Sequence, residues 1–176
     1  MMGSLVDGRA FVRAVVVLVL SALMAGCSVS RAPVMTTTAF DPGAASFINA
    51  VGSAKVSGQA FVRRNSGKML RAVGTDVFLI PRTPYADERI AAIYGDGKQP
   101  QWGVHLPNAD PLFEQYVRKT VASSGGSFSF DRVADGGYYV VAMIHVPSEV
   151  AFLQFPIIEK VDVEGGRSVR VVMRGY

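Results

Sequence analysis

The sequence predicts an all-β fold, a seven- to eight-stranded antiparallel β-sandwich with one short inserted helix. The chain has 176 residues, of which 49% are hydrophobic and 18% are charged, and this composition suits the core of one ordinary domain. Short apolar or alternating segments recur along it with turn residues between them, which is typical of a sandwich. Beyond the N-terminal apolar run, apolar residues recur at helical spacing in one internal segment.

The first strands are predicted from alternation and from turn residues. Residues 55–63 alternate loosely, the sequence Asn-Ser-Gly-Lys at 65–68 predicts a turn, and residues 75–80 form an apolar run that stops at Pro81. Gly58 lies inside the first of these strands. A glycine there indicates either a β-bulge or the close approach of another backbone.

The second half of the chain supplies the remaining strands. Residues 116–122 and 127–130 flank Ser-Ser-Gly-Gly, which predicts a hairpin. Residues 138–144 are apolar at every position, as in a central strand that is covered on both faces. The last predicted strands are 150–155, 158–163 and 168–173.

The N-terminus has the pattern of an export signal. Arg9 and Arg13 precede the apolar run 14–24, which is followed by Ala25-Gly26-Cys27. A basic head, a short apolar middle and small residues predict a secretory signal peptide over residues 1–26. The run is too short for a transmembrane helix, which needs about 20 apolar residues.

The segment Leu23-Met24-Ala25-Gly26-Cys27 resembles the lipobox of bacterial lipoproteins, with Met24 in place of the usual Leu. The resemblance implies a mature chain that begins at Cys27 and carries a diacylglycerol thioether and an N-acyl chain there, with no other cofactor. It places the protein in the cell envelope, and Ser28 favours the outer membrane, on its periplasmic face. Residues 27–45 are then the lipidated cysteine and a flexible tether. The alternative is an ordinary cleaved signal with an incidental cysteine.

Residues 126–142 resemble the "Gly-x-Phe-x-Phe…Gly-x-Tyr" signature of carboxypeptidase regulatory-like domains, which are prealbumin-like (transthyretin-like) sandwiches. The resemblance implies one such domain over residues 46–176. In it Phe128 and Phe130 face the core, Gly136 permits a turn, and Tyr138 buries its ring while its hydroxyl holds a nearby loop. These residues form scaffold and perform no reaction.

An insert at residues 82–114 departs from a minimal domain of this kind. Thr83 can cap a helix and Pro84 suits its first position, so we expect one short helix against an edge or end of the sandwich. The sequence predicts an irregular loop over residues 95–107. The candidate binding residues are the aromatic and histidine side chains of this insert: Trp102, His105, Tyr85 and Tyr94. The alternative is that these rings only cover a sheet edge.

The sequence lacks the patterns of an enzyme or a metalloprotein. Neither His105 nor His145 has the Glu three residues on that a zinc peptidase requires, and the chain contains no Gly-x-Ser-x-Gly elbow. One cysteine and two histidines cannot form a zinc cluster. We therefore expect no catalytic residue and no metal site. The net charge of +4 comes from scattered basic residues without a dense stripe, which argues against a nucleic-acid partner.

These observations favour a membrane-anchored envelope lipoprotein whose sandwich is a non-catalytic interaction or structural module. Three alternatives remain open. One is a carbohydrate- or peptidoglycan-binding module that uses the 82–114 loop, with Asp96 and Asn108 beside Trp102. The second is an assembly component of an envelope or secretion complex. The third is an enzyme, which would require a cleft with convergent titratable groups around His105 and Asp96. The expected partners are the membrane, through the lipid anchor, and an envelope protein or a cell-wall glycan.

Replacing Cys27 with Ala tests the anchor. In a Gram-negative host, we expect the unaltered protein to start at Cys27, to carry acyl mass and to partition with membranes, because two or three acyl chains hold a domain stably on a bilayer. The Cys27→Ala variant should lose the acyl mass. Intact-mass spectrometry of the membrane and soluble fractions measures the acyl mass and locates the cleavage site. An unacylated soluble protein that is cleaved elsewhere would contradict the prediction.

Overall fold

A computed structural model describes residues 36–64, 66–97, 100–101, 104, 106–146 and 153–175. Over these residues the predicted fold class is confirmed, because two sheets of four strands each enclose the main core and one short helix is inserted between strands. All of the described core residues belong to one compact unit, residues 33–176. The leader and Cys27 lie outside the described residues.

The helices are α1 (Pro42–Ala45) and α2 (Pro84–Tyr94), and two short 3₁₀ segments cover Ser46–Asn49 and Phe113–Tyr116. The strands are β1 (Ala54–Arg63), β2 (Met69–Arg71), β3 (Asp76–Pro81), β4 (Arg118–Val121), β5 (Ser127–Val133), β6 (Gly136–Val146), β7 (Leu153–Val163) and β8 (Val169–Gly175). Helix α2 begins as the sequence predicts, since the Thr83 side chain accepts a hydrogen bond from the Ala86 amide and Pro84 occupies the first turn.

The first sheet is built around β1. This strand pairs with β2 and β5, both antiparallel, and with β8, which runs parallel to it. The second sheet has the order β4-β3-β6-β7 and is antiparallel throughout. The parallel β1–β8 pair departs from the expected antiparallel pattern. Strand β8 follows β7 in the chain but belongs to the other sheet. The short turn between them therefore does not fix the direction in which β8 pairs with β1.

The predicted hairpin between residues 116–122 and 127–130 is wrong, because β4 pairs with β3 in the second sheet whereas β5 pairs with β1 in the first. Two strand assignments also differ from the sequence prediction. Strand β7 is continuous through Pro156, whereas the sequence predicts separate strands at 150–155 and 158–163. Within the described residues β7 pairs only with β6, so Pro156 can lie on the outer side, where no amide donor is needed. Strand β2 was not predicted, because its three residues are too few to show alternation.

The main core lies between the two sheets and closes over Tyr138. Phe128 and Phe130 point into it from β5, as side chains two residues apart on a strand must. The buried Tyr138 hydroxyl donates a 2.7 Å hydrogen bond to the Ala134 carbonyl. Burial raises the pKa of Tyr138 to about 12, so this donor keeps its proton at neutral pH.

Gly136 makes room for the segment that enters β1. Its φ is 151°, and a Cβ there would lie 2.5 Å from Cε2 of Phe47. The Phe47 ring instead packs edge-on against Tyr138 with 5.3 Å between ring centroids. A glycine at this position therefore lets the N-terminal segment cover one end of the core.

Helix α2 covers the outer face of the second sheet. A second apolar cluster joins Ala86 and Tyr94 of the helix to Tyr139, Val141 and Ile158 of β6 and β7. The expectation that the helix lies against an edge or end of the sandwich is therefore wrong. The reason is that β6 is apolar on both faces, and its outward side chains need a cover.

Replacing Gly58 with Ala should lower the free energy of unfolding by about 1–3 kcal/mol, the usual effect of overpacking. An added Cβ would lie 2.5 Å from the Val171 carbonyl oxygen and 2.7 Å from Phe128 Cζ. Gly125→Ala is the matched control, because its nearest neighbours would be 3.9 Å away. Urea unfolding of both variants gives the comparison, and equal stabilities would contradict the close approach.

Candidate functional site

The structure places the predicted binding residues in different surroundings. Trp102 and His105 lie outside the described residues. Tyr85 and Tyr94 belong to α2 itself and are only 6% and 5% exposed. Tyr94 packs in one cluster with Tyr139 and Val141 of the second sheet, whereas the Tyr85 ring packs edge-on against Phe40 and Phe113.

Tyr85 belongs to a cluster of rings that holds the N-terminal segment. Phe40 packs edge-on against Tyr85, Phe113 and Tyr116, with centroid separations of 5.4 to 5.6 Å. The Tyr85 hydroxyl accepts a 2.8 Å hydrogen bond from the Asp110 amide. These contacts attach the chain before α1 to the insert.

Glu88 of α2 completes this attachment. Its Oε1 accepts from the amide and hydroxyl of Thr37 at 2.8 and 3.1 Å, and its Oε2 accepts from the Thr38 amide at 2.7 Å. Hydrogen bonds from Thr38 and Thr37 lower the pKa of the Glu88 carboxyl to about 2. The described chain is thus docked from Thr37 onward, within residues 27–45 that the sequence assigns to a tether.

A groove lies between α2 and the outer face of β6 and β7. Its volume is about 540 Å³. Apolar and tyrosine side chains from the helix and both strands line it together with charged groups of both signs. The lining side chains include Ile90, Ala91, Tyr94, Tyr139 and Ile158, with Arg82, Asp87, Asp96, Glu159 and Lys160 as the charged members.

Tyr139 and Asp87 connect the sheet to the helix beside this groove. The Tyr139 hydroxyl donates a 2.7 Å hydrogen bond to Asp87 Oδ1. Burial, and then the bond to Asp87, raise the pKa of Tyr139 to about 12, and burial raises the pKa of Tyr94 to about 12. Both tyrosines therefore stay protonated at neutral pH and cannot act as bases there.

Arg82 supplies donors at the start of the insert. Its Nη1 donates to Asp162 Oδ1 at 2.7 Å. Its Nε is buried and has no hydrogen-bond partner within the described part of the chain. A buried donor of this kind is uncommon in folded proteins.

The groove has the chemistry of a binding site for a polar ligand. Carboxylates of Asp87 and Asp96 can accept from hydroxyl groups, and Arg82 and Lys160 can donate. His145 lies six residues beyond Tyr139 on β6, exposed and 3.1 Å from the Gln154 side-chain nitrogen. Among the described residues, no three His, Cys, Asp or Glu side chains are grouped as metal ligands would be.

Sequence reasoning named two residues of this groove, Tyr94 and Asp96, and missed most of the others. Arg82, Asp87, Tyr139 and Lys160 come from three separate segments. One signal for the groove was available, because adjacent tyrosines on a strand must point to opposite faces. With Tyr138 in the core, Tyr139 had to face whatever covers the outer side.

Comparisons with known proteins support the fold. No family model and no curated protein matches the sequence. A Pseudomonas aeruginosa protein that has been proposed to bind carbohydrate shares 23% identity with a TM-score of 0.63, over 79% of this chain and 99% of that one. A minor pilin of Streptococcus agalactiae shares 14% identity with a TM-score of 0.37, over 72% of this chain and 46% of the pilin. The first likeness shows a common fold.

No helix in the described ranges is long and apolar enough to cross a membrane.

The Glu88 attachment should respond to acid well below the usual range of a glutamate. Since the folded-state pKa is about 2 against an ordinary 4.5, the attachment is strongest above pH 4.5 and is lost as the pH falls through 2. NMR titration of the Thr37 and Thr38 amide shifts should give a midpoint near pH 2. In Glu88→Gln this titration should vanish. A wild-type midpoint near 4.5 would contradict the contact.

Proposed function

We propose that this chain is a non-catalytic, glycan-binding module of the bacterial cell envelope, anchored by acyl chains on Cys27 at the periplasmic face of the outer membrane. The observation that carries the binding role is the 540 Å³ groove between α2 and the second sheet, with its apolar floor and charged rim. Its size falls within the range of about 300–1,000 Å³ that is usual for small-ligand sites. The anchoring role depends on the lipobox resemblance.

A glycan suits the groove because a sugar ring has two kinds of surface. Its hydroxyl groups both donate and accept hydrogen bonds, which matches the lining residues Asp87 and Asp96 as acceptors and Arg82 and Lys160 as donors. Its C–H faces are apolar and can rest on Ile90 and Ile158. Mixed charges around an apolar floor favour such a ligand over a fully apolar one.

The Pseudomonas aeruginosa neighbour adds support from the fold, since carbohydrate binding has been proposed for that protein. At 23% identity this support concerns the scaffold and does not extend to particular residues. Carbohydrate binding by this chain would use the insert that the sequence singled out, but through α2 and the strand face beneath it.

The proposed role is non-catalytic. A general base needs a pKa close to the working pH. Burial raises the pKa of Tyr94 and of Tyr139 in the groove to about 12. Neither tyrosine can act as a base at neutral pH, and the proposal assigns the groove a binding role alone.

Filling the groove should abolish binding. Ala91 is exposed and lines the groove, so Ala91→Trp should block it while leaving the core intact. Leu112→Trp, at an exposed site of the same insert outside the groove, is the matched control. On an array of peptidoglycan fragments and neutral oligosaccharides, the unaltered protein and Leu112→Trp should bind the same glycans. Ala91→Trp should bind them at least tenfold more weakly.

Calorimetric titration with the best glycan from the array gives the dissociation constants. Equal affinity in Ala91→Trp would place the site elsewhere. If no glycan binds and the protein instead co-purifies with envelope proteins, the assembly alternative replaces this proposal. Neither result bears on the anchor, which the Cys27→Ala experiment tests separately.

A further inference from the structure

The sheet register collects basic residues that are scattered in the sequence. Strands β1, β2 and β8 contain no Asp or Glu. Their buried positions, such as Val56, Val62 and Met173, point inward, so the intervening positions face outward. The outward positions carry the basic side chains Lys55, Arg63, Arg71, Arg170 and Arg174. The sequence shows no dense basic stripe, but the folded sheet brings these basic side chains onto one surface.

Three of these arginines surround Phe61. The β1 residue Phe61 is paired with Arg71 on β2 and with Arg174 on β8. Arg63 follows two residues later on the same face. Directly paired residues on antiparallel strands, as Phe61 and Arg71 are, have Cβ atoms about 4.5–5.5 Å apart. The four side chains thus form one compact group at the outer surface.

Apolar side chains extend this group. Met69 is paired with Arg63, Val172 lies two residues before Arg174, and each of these apolar residues is 48% exposed. We call the six residues the cationic patch: Phe61, Arg63, Met69, Arg71, Val172 and Arg174. Exposed apolar residues among unpaired cations are unusual on a free surface and mark an interaction site.

Among the described residues, no ion pair compensates the charge of the cationic patch. On the described outer face of this sheet the carboxylate present is Asp131, which pairs with Lys55 at 3.1 Å near the start of β1. Within the described ranges, Arg63, Arg71 and Arg174 form no ion pair. The second sheet differs, because Lys119 pairs with Asp76 and Arg82 pairs with Asp162 there.

We propose that the cationic patch docks on the surface of an anionic lipid bilayer. Each basic residue near such a surface adds attraction to acidic headgroups, and apolar side chains beside it can enter the headgroup boundary. A polyanionic polymer would pair with the arginines but would leave Phe61, Met69 and Val172 against a hydrated chain. The mixture of charge and apolar surface therefore favours the bilayer.

An apolar cleft at the same end of the sandwich supports this choice. Its volume is about 380 Å³, and Arg63 and Arg64 border it. The apolar lining consists of Val62, Leu70, Val146 and Phe155. Arginines beside an apolar opening match an anionic headgroup joined to acyl chains.

The docking surface is independent of both Cys27 and the groove, because it is formed by residues of the first sheet. It can therefore be tested without the acyl chains. Residues 28–176 retain the whole compact unit 33–176 and its described core. This unacylated chain should sediment with vesicles of equal parts phosphatidylglycerol and phosphatidylcholine. It should not sediment with pure phosphatidylcholine vesicles, and added salt should weaken the binding.

The decisive variant replaces Arg63, Arg71 and Arg174 with Gln. One basic residue contributes about fivefold to membrane affinity, so three should contribute roughly a hundredfold. The matched control removes the same charge from Lys119, Arg132 and Arg167, which are exposed and lie outside the cationic patch. Circular dichroism confirms that each variant is folded. If the control loses as much affinity as the patch variant, or if neither loses affinity, the docking surface is wrong.

A second pair of substitutions separates a bilayer from a polymer. Met69→Gln with Val172→Gln keeps all three arginines and should weaken vesicle binding severalfold, while binding to a soluble sulfated polysaccharide stays unchanged. Polysaccharide binding by the unaltered chain without vesicle binding would overturn the proposal. Vesicle binding that is insensitive to the apolar substitutions would overturn the role assigned to Met69 and Val172.

Discussion

Strand β6 is apolar on both faces, and the burial of both faces is the constraint on which the rest of the structure depends. Alternate residues of a strand point in opposite directions, so Tyr138 and Tyr139 cannot share one core. Tyr138 enters the space between the sheets, where its hydroxyl reaches the Ala134 carbonyl. Tyr139 and Val141 face outward and would remain in water if α2 did not cover them. The insert is therefore a structural necessity for this sequence.

The way in which α2 covers β6 also produces the groove. A helix meets a flat sheet along one stripe, so space remains beside it over β7. The N-terminal segment then fixes the helix from its other side, through Phe40 against Tyr85 and through Thr37 and Thr38 on Glu88. A ligand in the groove and the docked segment contact the same helix. Release of the segment would thus loosen one wall of the proposed binding site.

The sequence predicts local features of this protein well and long-range ones poorly. The α2 cap at Thr83, the strand around Tyr138 and the close approach at Gly58 depend on neighbours in the chain or on residue type. The parallel β1–β8 pair and the cationic patch depend on which strands become adjacent, which no local pattern encodes. Arg71 and Arg174 are more than a hundred residues apart yet flank Phe61. For the same reason sequence motifs do not predict the groove, whose residues come from three separate segments.

The groove and the cationic patch lie on opposite outer faces of the sandwich, and their chemistry differs accordingly. The groove sits on the second sheet and combines acceptors with donors, whereas the patch sits on the first sheet and offers only cations and apolar groups. Stacked sheets are about 10 Å apart, so one ligand surface cannot contact both. If the patch rests on a bilayer, the groove opens away from it, toward the space where a cell-wall glycan would lie. A membrane-bound module with the reverse orientation would bury its own binding site, which makes the two proposals compatible in one orientation only.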